Sequence, residues 1–325
     1  MKYTVSIIFL SLSVFLYGQH YKMHPDVEQD TSYSIQGQFK KYKKDYPFIK
    51  PIDIGDTSKL TIFHNLVYQK YGNRELHLDV AYLKKKSNRK LPVVILVHGG
   101  GWRSGDKSMQ APMSYELARN GYATVNVEYR LSMEAIYPAG LIDINTAIKW
   151  VKKNADKFPI DTSRIALLGC SSGGQMVSLL GSINGYFEKY EPDVYKDISD
   201  RIQVVVDIDG VQAFIHPESG EGKDKPGKPS ASTLWFGSTT EEDSLVRYEA
   251  SALTHVNKNS AKFLYICSSI PRYHGGRDDV ISKLNSYNIP SDVLTLPDTP
   301  HTTWLFHPWF DQITEKILKF LGKEL

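Results

Sequence analysis

Cysteine is scarce in this chain of 325 residues, where only Cys170 and Cys267 occur. Two cysteines permit at most one disulfide, so a scaffold held together by several disulfides is excluded. Cys170 lies inside the turn Gly169–Gly173, where a crosslink would block access to the serine beside it. We therefore expect two free thiols that are mostly buried.

Long blocks of like charge and long apolar runs are also lacking. The formal net charge is only +3, and the longest basic run is Lys84–Lys86. A charge this small and interspersed argues against a nucleic-acid partner. Beyond the first nineteen residues no segment is long and apolar enough to span a bilayer, and neither repeats nor a second domain are evident. The hydrophobic content of 41% suffices for a normal globular core.

Residues 1–19 differ from the rest of the chain. They combine Lys2, an apolar stretch and the small residue Gly18, which is typical of a secretory signal peptide. A membrane anchor is the alternative, but the stretch is short and is interrupted by serines. It ends without a cysteine for lipid attachment. We expect a secreted or periplasmic protein in which 20–58 is an N-terminal extension and 59–325 the main domain.

Strand-like and helix-like segments alternate along the main domain. Leu60–Tyr68 and Glu75–Leu83, joined through Tyr71–Asn73, predict a β-hairpin. Pro92–Val97 is a continuous apolar run, as in a buried central strand, and Pro138–Phe158 carries one apolar stripe, as in a helix. The alternation predicts an α/β fold with a mostly parallel sheet of about eight strands and helices on both faces.

The stretch 210–243 interrupts this alternation. It is rich in Gly, Lys, Pro, Ser and Glu and contains Trp235 and Phe236. A loop of this length in a compact domain is either a functional lid or a disordered segment, and the sequence leaves both open. We refer to 210–243 as the lid-like insertion.

The turn Gly169–Gly173 carries a Gly-x-Ser-x-Gly motif between a strand-like run and a helix-like one. Such a motif holds a serine hydroxyl on a sharp turn, and its glycines avoid side-chain clashes. A plain turn in which the serine caps the helix is the alternative. We favour Ser171 as the nucleophile of a hydrolase, which needs a base to accept its proton.

A second glycine-rich turn, His98–Trp102, directly follows the buried strand described above. The backbone N–H groups of Gly100 and Gly101, together with that of Ser172, would form an oxyanion hole. A tight turn after a strand is the alternative. We expect His98 to position this loop rather than to act as the base.

The base and the acid are expected later in the chain, in the order nucleophile, acid, histidine. His301 follows the last strand and is favoured over His307, which lies where the closing helix begins. Asp278 is favoured as the acid over Asp279, which suits the first turn of a helix. The acid would fix the imidazole tautomer and stabilise the imidazolium.

These motifs resemble those of the α/β-hydrolase superfamily, in the esterase/lipase group with an HGGG-type oxyanion loop. Leu76–Val80 and Gly101–Lys107 are more specifically similar to bacterial feruloyl- and acetyl-esterase-like domains, which are carbohydrate esterases. The resemblance implies the α/β-hydrolase fold and ester hydrolysis through an acyl-enzyme, with neither metal nor cofactor. Many relatives carry a Gly-Thr-x-Asp turn at the acid, whereas Pro271–Asp279 reads PRYHGGRDD.

Residue type alone suggests substrate contacts. Trp102 and Trp304 offer flat surfaces for stacking on sugars, although ordinary packing is the alternative for each. Arg272 and Arg277 cluster with His274 beside the proposed acid. They would pair with a carboxylate or sulfate on an acidic polysaccharide, and structural ion pairs within the chain are the alternative.

The sequence therefore predicts a secreted serine carboxylesterase that removes short acyl groups, above all acetyl, from a polysaccharide or oligosaccharide. A serine peptidase of the same fold is one alternative, and a non-catalytic carbohydrate-binding protein of that fold is another. An acylated carbohydrate is the expected partner. We expect no stable membrane insertion, and either a monomer or a homodimer.

Overall fold

A computed structural model describes residues 33–84, 89–220, 224–225 and 227–325. The predicted signal peptide at 1–19 lies outside the described residues, as does 20–32 of the predicted extension. The strands are β1 (Lys50–Pro51), β2 (Leu60–Tyr71), β3 (Arg74–Leu83), β4 (Leu91–Val97), β5 (Ala123–Val127), β6 (Ile160–Cys170), β7 (Val204–Ile208), β8 (Lys262–Cys267), β9 (Ser291–Thr295) and β10 (Phe306–His307). The α-helices are α1 (Ile35–Tyr42), α2 (Ala111–Arg119), α3 (Ala139–Lys153), α4 (Ser172–Ile183), α5 (Ala231–Phe236), α6 (Ser244–Glu249), α7 (Ala252–His255), α8 (Arg277–Ser286) and α9 (Trp309–Glu324).

Eight strands form one sheet in the order β2-β3-β5-β4-β6-β7-β8-β9. β2 pairs antiparallel with β3, and β3 with β5, while every later pairing is parallel. The predicted hairpin is confirmed, since Tyr71 pairs with Arg74 across the turn. The mostly parallel sheet of about eight strands is likewise confirmed.

The central strands are apolar on both faces because helices cover both. Along β4, Val93 and Ile95 face a core cluster that includes residues of α3 and α4. Val94 and Leu96 face a second cluster that includes residues of α2 and α9. Successive side chains of a strand point to opposite faces, so a continuous apolar run is what a sheet covered on both faces requires.

The two cysteines end strands that are not neighbours. Cys170 closes β6 and Cys267 closes β8, with β7 between them. Both thiols are free and buried, as expected from the sequence. Two strand spacings, about 9–10 Å, exceed the Cα separation that a disulfide allows.

The extension and the lid-like insertion both pack on the domain where they are described. α1 precedes β1, which pairs with β10 near the chain's C-terminal end. The insertion contains α5, whose Trp235 side chain is buried. Within the described part of the chain, helices suited to crossing a membrane do not occur.

Candidate active site

Ser171 sits on the turn between β6 and α4 with a strained backbone, φ 54° and ψ −120°. Its N–H donates to the carbonyl of Ile208 at 2.8 Å, which continues the β6–β7 pairing by one residue. Gly169 and Gly173, on either side of Ser171, are required because neighbouring backbone atoms lie too close to leave room for a side chain. A Cβ at Gly169 would lie 2.2 Å from the Gly173 carbonyl oxygen, and one at Gly173 would lie 2.3 Å from that of Val97.

His301 follows β9 and faces Ser171. Its Nε2 lies 2.8 Å from the Ser171 hydroxyl oxygen, so a neutral imidazole accepts the hydroxyl proton there. His307 instead pairs with Asp311 in an exposed position. Of the two histidines weighed from the sequence, the structure brings only His301 to the serine.

The carboxylate beside His301 belongs to Asp209, a residue that the sequence reasoning did not consider. Asp209 follows β7 directly, and its Oδ2 accepts from His301 Nδ1 at 3.0 Å. Its Oδ1 accepts from the Ser268 N–H at 2.8 Å. With only 2% of its surface exposed, Asp209 is fixed at the next strand end beyond Ser171.

The choice of Asp278 as the acid is therefore corrected. Asp278 lies in the first turn of α8, its side chain is 73% exposed, and it pairs with Arg277. Asp279 is also exposed and pairs with His216. Neither residue lines the cavity that contains Ser171 and His301, because both lie in the first turn of α8, where their side chains are exposed.

Burial and hydrogen bonding set the protonation states of the pair. Burial lowers the pKa of His301 below its ordinary value, against the raising effect of the Asp209 carboxylate, and the charges of Arg272 and Lys41 lower it further. Burial raises the pKa of Asp209, but hydrogen bonds from His274, His301 and Ser268 outweigh it, so this pKa lies below the usual range. Neutral imidazole beside carboxylate is the arrangement that a general base requires.

The predicted oxyanion donors lie around the serine. Gly100 and Gly101 have positive φ, 126° and 61°, and among the described residues their N–H groups have no backbone acceptor. Ser172 is the first residue of α4, where a helix leaves its N–H without an internal acceptor. All three residues line the same cavity as Ser171. His98 is buried, with its ring stacked on Tyr129, and supports this loop.

Two consecutive residues of the 3₁₀ turn Pro271–His274 contact the pair of His301 and Asp209. The Tyr273 ring stacks on the imidazole, with ring centroids 3.4 Å apart and planes 11° from parallel. His274 Nδ1 lies 3.4 Å from Asp209 Oδ1. The loop predicted to supply the acid instead contacts both His301 and Asp209.

A metal site is poorly supported by the residues present. Ligand atoms of Asp209, Cys267 and His274 lie within 4.8 Å of one another. However, the Arg277 guanidinium lies 3.1 Å from the Cys267 sulfur, and burial raises the pKa of that thiol to about 12. A cation beside a protonated thiol disfavours a divalent ion.

A cavity of about 500 Å³ opens over Ser171 and His301. Of the substrate-contact candidates, Trp102 and Arg272 line it. Trp304 does not line it, because its ring is buried edge-on against His301 in the core. Arg277 does not line it either, because it is engaged by Asp278 and Cys267.

Asp209, Tyr273 and His274 are the site residues that sequence reasoning missed or assigned differently. Asp209 carried a usable signal, since it stands between an apolar strand and Gly210 in the run Val204–Gly210. Its φ of 54° is the left-handed conformation that Asp tolerates well. Nothing in the sequence indicates that Tyr273 stacks on His301, a histidine 28 positions further along the chain.

Solved structures share this fold at low sequence identity. A truncated carbohydrate esterase from gut microbiota superposes with a TM-score of 0.69 and 21% identity, covering 85% of this chain and 99% of that one. An acetyl ester-xyloside bifunctional hydrolase from Caldicellulosiruptor lactoaceticus gives a TM-score of 0.65 and 19% identity, covering 79% and 95%. The α/β-hydrolase fold expected from the motifs is confirmed.

Sequence comparison agrees with the structural one. The chain is similar to Esterase LipC of Mycobacterium tuberculosis, with 29% identity over 209 residues, which is 63% of this chain and 48% of that protein. It thus spans about half the length of this relative. The family model for BD-FAE matches residues 78–291, more than half of the chain, which therefore belongs to the BD-FAE family.

Proposed function

We propose that this protein is a serine carboxylic ester hydrolase that works through an acyl-enzyme on Ser171. One observation carries the proposal. Ser171, His301 and Asp209 form a hydrogen-bonded chain, 2.8 Å and 3.0 Å at its two links, on the floor of an open cavity. Nucleophile, base and orienting acid in this order are what acyl transfer requires.

Acylation begins with proton transfer from the Ser171 hydroxyl to His301 Nε2 as the serine oxygen attacks the ester carbonyl carbon. The N–H groups of Gly100, Gly101 and Ser172 hold the resulting oxyanion. His301, now an imidazolium stabilised by Asp209, gives the proton to the alcohol oxygen as the ester bond breaks. The alcohol leaves, and the acyl group stays on the serine.

Deacylation repeats these steps with water. His301 accepts a proton from the water, whose oxygen attacks the acyl carbon. The oxyanion again meets the same three N–H groups. Return of the proton to the Ser171 oxygen releases the carboxylic acid and restores the neutral imidazole.

The acyl group is proposed to be short, acetyl above all. The Trp102 indole beside the oxyanion loop is stacked on Trp235, with centroids 4.9 Å apart, and its N–H donates to Gln175 at 3.1 Å. Ala231 of α5 lies against Gly101, only 3.2 Å from where a Cβ would be. A wall held by stacking and a hydrogen bond does not yield readily to a long acyl chain.

The alcohol half is proposed to be a sugar of a polysaccharide or oligosaccharide. Two structural neighbours, a carbohydrate esterase and an acetyl ester-xyloside bifunctional hydrolase, support this assignment. The sequence-based prediction of export through residues 1–19 would bring the enzyme to extracellular polysaccharides. Those residues and the oligomeric state remain predictions.

The test is acetate release from acetylated xylan, pectin and algal polysaccharides by the wild-type protein and by Ser171→Ala. We expect acetate from at least one of them, and a loss of about 10³-fold or more in the variant. Feruloylated and peptide substrates serve as controls for acyl type and bond type. Peptide cleavage without ester cleavage would contradict the proposal, as would acetate release that survives in the variant.

A further inference from the structure

His274 is a buried histidine that contacts the acid of the site rather than the serine. It ends the 3₁₀ turn Pro271–His274, which follows β8, and 11% of its side chain is exposed. Its Nδ1 lies 3.4 Å from Asp209 Oδ1, while His301 Nδ1 lies 3.0 Å from the other oxygen, Oδ2. Asp209 therefore has a histidine at each of its two oxygens, and the mechanism proposed for ester hydrolysis uses only His301.

The hydrogen bonds at Oδ1 determine where Oδ2 of Asp209 points. Oδ1 accepts from the Ser268 N–H at 2.8 Å, and the His274 imidazole approaches the same oxygen. An ionised carboxylate only accepts hydrogen bonds, so His274 Nδ1 must carry a proton to bond there. Two donors at one oxygen restrict rotation of the carboxylate about its Cβ–Cγ bond, and this keeps Oδ2 facing His301.

The separation of 3.4 Å between His274 Nδ1 and Asp209 Oδ1 is long for a hydrogen bond. Hydrogen bonds between catalytic groups are often long in the free enzyme and shorten in the complex with substrate. Burial raises the pKa of Asp209, but its hydrogen bonds, that from His274 foremost, outweigh burial and bring this pKa below its usual range. The contact thus supports the ionised form of the acid, which is the form that His301 requires.

Backbone hydrogen bonds hold the turn that carries His274 against the chain just after Asp209. The next residue, Gly275, accepts at its carbonyl from the N–H groups of Gln212 at 3.0 Å and Ala213 at 3.1 Å. Neither of these bonds involves the imidazole, so the position of residue 274 is set without it. A change of this side chain therefore removes a donor to Asp209 and leaves the turn in place.

The same turn contacts the base. Tyr273, the residue before His274, stacks its ring on the His301 imidazole, with ring centroids 3.4 Å apart. Consecutive residues thus contact the face of the base and the Oδ1 side of the acid. Burial of a polar ring nitrogen costs stability unless it is hydrogen-bonded, so the placement of His274 Nδ1 at Asp209 favours a donor role over a packing role.

We propose that His274 is a positioning residue, whose Nδ1–H holds the Asp209 carboxylate in the orientation that His301 needs. The proposal rests on the ester hydrolase function argued above and adds a residue to its machinery. His274 touches neither the substrate nor the reacting atoms. Its effect is greatest when His301 becomes an imidazolium, since the carboxylate must then face the protonated ring. Loss of the donor should therefore lower kcat and change KM less.

Three variants test this role with 4-nitrophenyl acetate as the substrate. His274→Leu fills similar space without a donor, and His274→Asn keeps an N–H donor near the position of Nδ1. We expect kcat to be about tenfold lower in the leucine variant, with less change in KM, and within about threefold of wild type in the asparagine variant. His216→Leu is the matched control, because His216 is also hydrogen-bonded to an aspartate, Asp279, that does not line the cavity. It should leave kcat unchanged, and thermal unfolding shows which variants are folded.

The tautomer of His274 is a second readout, taken on wild-type protein. In protein labelled with ¹⁵N-histidine, at a pH of full activity, Nδ1 should carry the proton in both His274 and His301. The resonances of His274 are identified by their absence from whichever His274 variant folds. The low-field resonance of the His301 Nδ1 proton should shift in His274→Leu and return toward its wild-type position in His274→Asn. A packing role would leave that resonance in place.

His274 without a proton on Nδ1 in wild-type protein would overturn the positioning role, because nothing would then be donated to Asp209. Wild-type kcat in folded His274→Leu would overturn it too, as would a fall in His274→Asn as large as that in His274→Leu. Each of these results leaves the ester hydrolase function standing. Wild-type protein that hydrolyses no acetyl ester would overturn the proposed function itself, and the role of His274 with it.

Discussion

Replacing Asp209 by Asn tests the assignment of the acid. The change keeps the size of the side chain, and Asn tolerates the positive φ of 54° at this position. The charge beside His301 is lost, and the amide keeps only one oxygen to accept from either His301 Nδ1 or the Ser268 N–H. That charge matters in the transition state, when the imidazolium forms 3.0 Å from the carboxylate. Coulomb's law at an effective dielectric of about 20 gives an attraction of about 5 kcal/mol at that distance.

An effect of about 5 kcal/mol corresponds to a fall of roughly 10³–10⁴-fold in kcat. The assay is 4-nitrophenyl acetate hydrolysis under saturating conditions, with thermal unfolding to show that the variant folds. Asp278→Asn is the matched control, and its exposed carboxylate should change kcat by less than about twofold. The assignment of Asp209 as the acid is refuted if Asp209→Asn keeps the wild-type kcat, or if Asp278→Asn lowers kcat more than Asp209→Asn does.

Three further predictions concern the base, its ring contact and the oxyanion loop. Neutral His301 is the base, and burial lowers its pKa, so kcat/KM should be highest above that pKa and should fall as His301 is protonated below it. A fall of kcat/KM toward low pH with its midpoint above about 6.5 would contradict this. Tyr273→Leu removes the ring stacked on His301 and should lower kcat up to about tenfold, with less change in KM. Tyr287→Leu, at an exposed tyrosine, should have no effect. Equal kcat values for the two variants would show that Tyr273 does not position His301. Gly101→Ala should lower kcat by about 10²-fold or more, because it displaces oxyanion donors. Gly72 also has a positive φ but open space around it, so Gly72→Ala should lower only the stability of the protein. Equal kcat values for the two variants would count against the oxyanion loop.

The sheet could be predicted from the sequence because its strands carry their own signals. The apolar runs of β4, β6 and β7 are what burial on both faces demands, and the hairpin turn at Gly72 is visible in the pattern. Ser171 could be located because close backbone contacts require glycine on both sides of it: a Cβ at Gly169 would meet the turn's own backbone, and one at Gly173 would meet that of β4.

The acid could not be assigned with the same security because its partner is distant in the sequence. A carboxylate that follows the end of a strand near Ser171 can reach His301. The chain has Asp209 after β7, and Asp278 and Asp279 after β8. Only the packing of Tyr273 and His274 onto the pair excludes the later loop. The sequence predicts only an extension over 20–58 and not helix α1, because the contacts of this helix with β10 depend on residues more than 250 positions away.

The most direct test of the central claim is to trap the acyl-enzyme and find the modified residue. Wild-type protein is acid-quenched during turnover of an acetyl ester, or treated with a 4-nitrophenyl phosphonate, and its peptides are analysed by mass spectrometry. We predict one acyl or phosphonyl group, on Ser171, and none in Ser171→Ala. A label on another residue, or ester turnover by a protein that never carries a label on Ser171, would contradict the account.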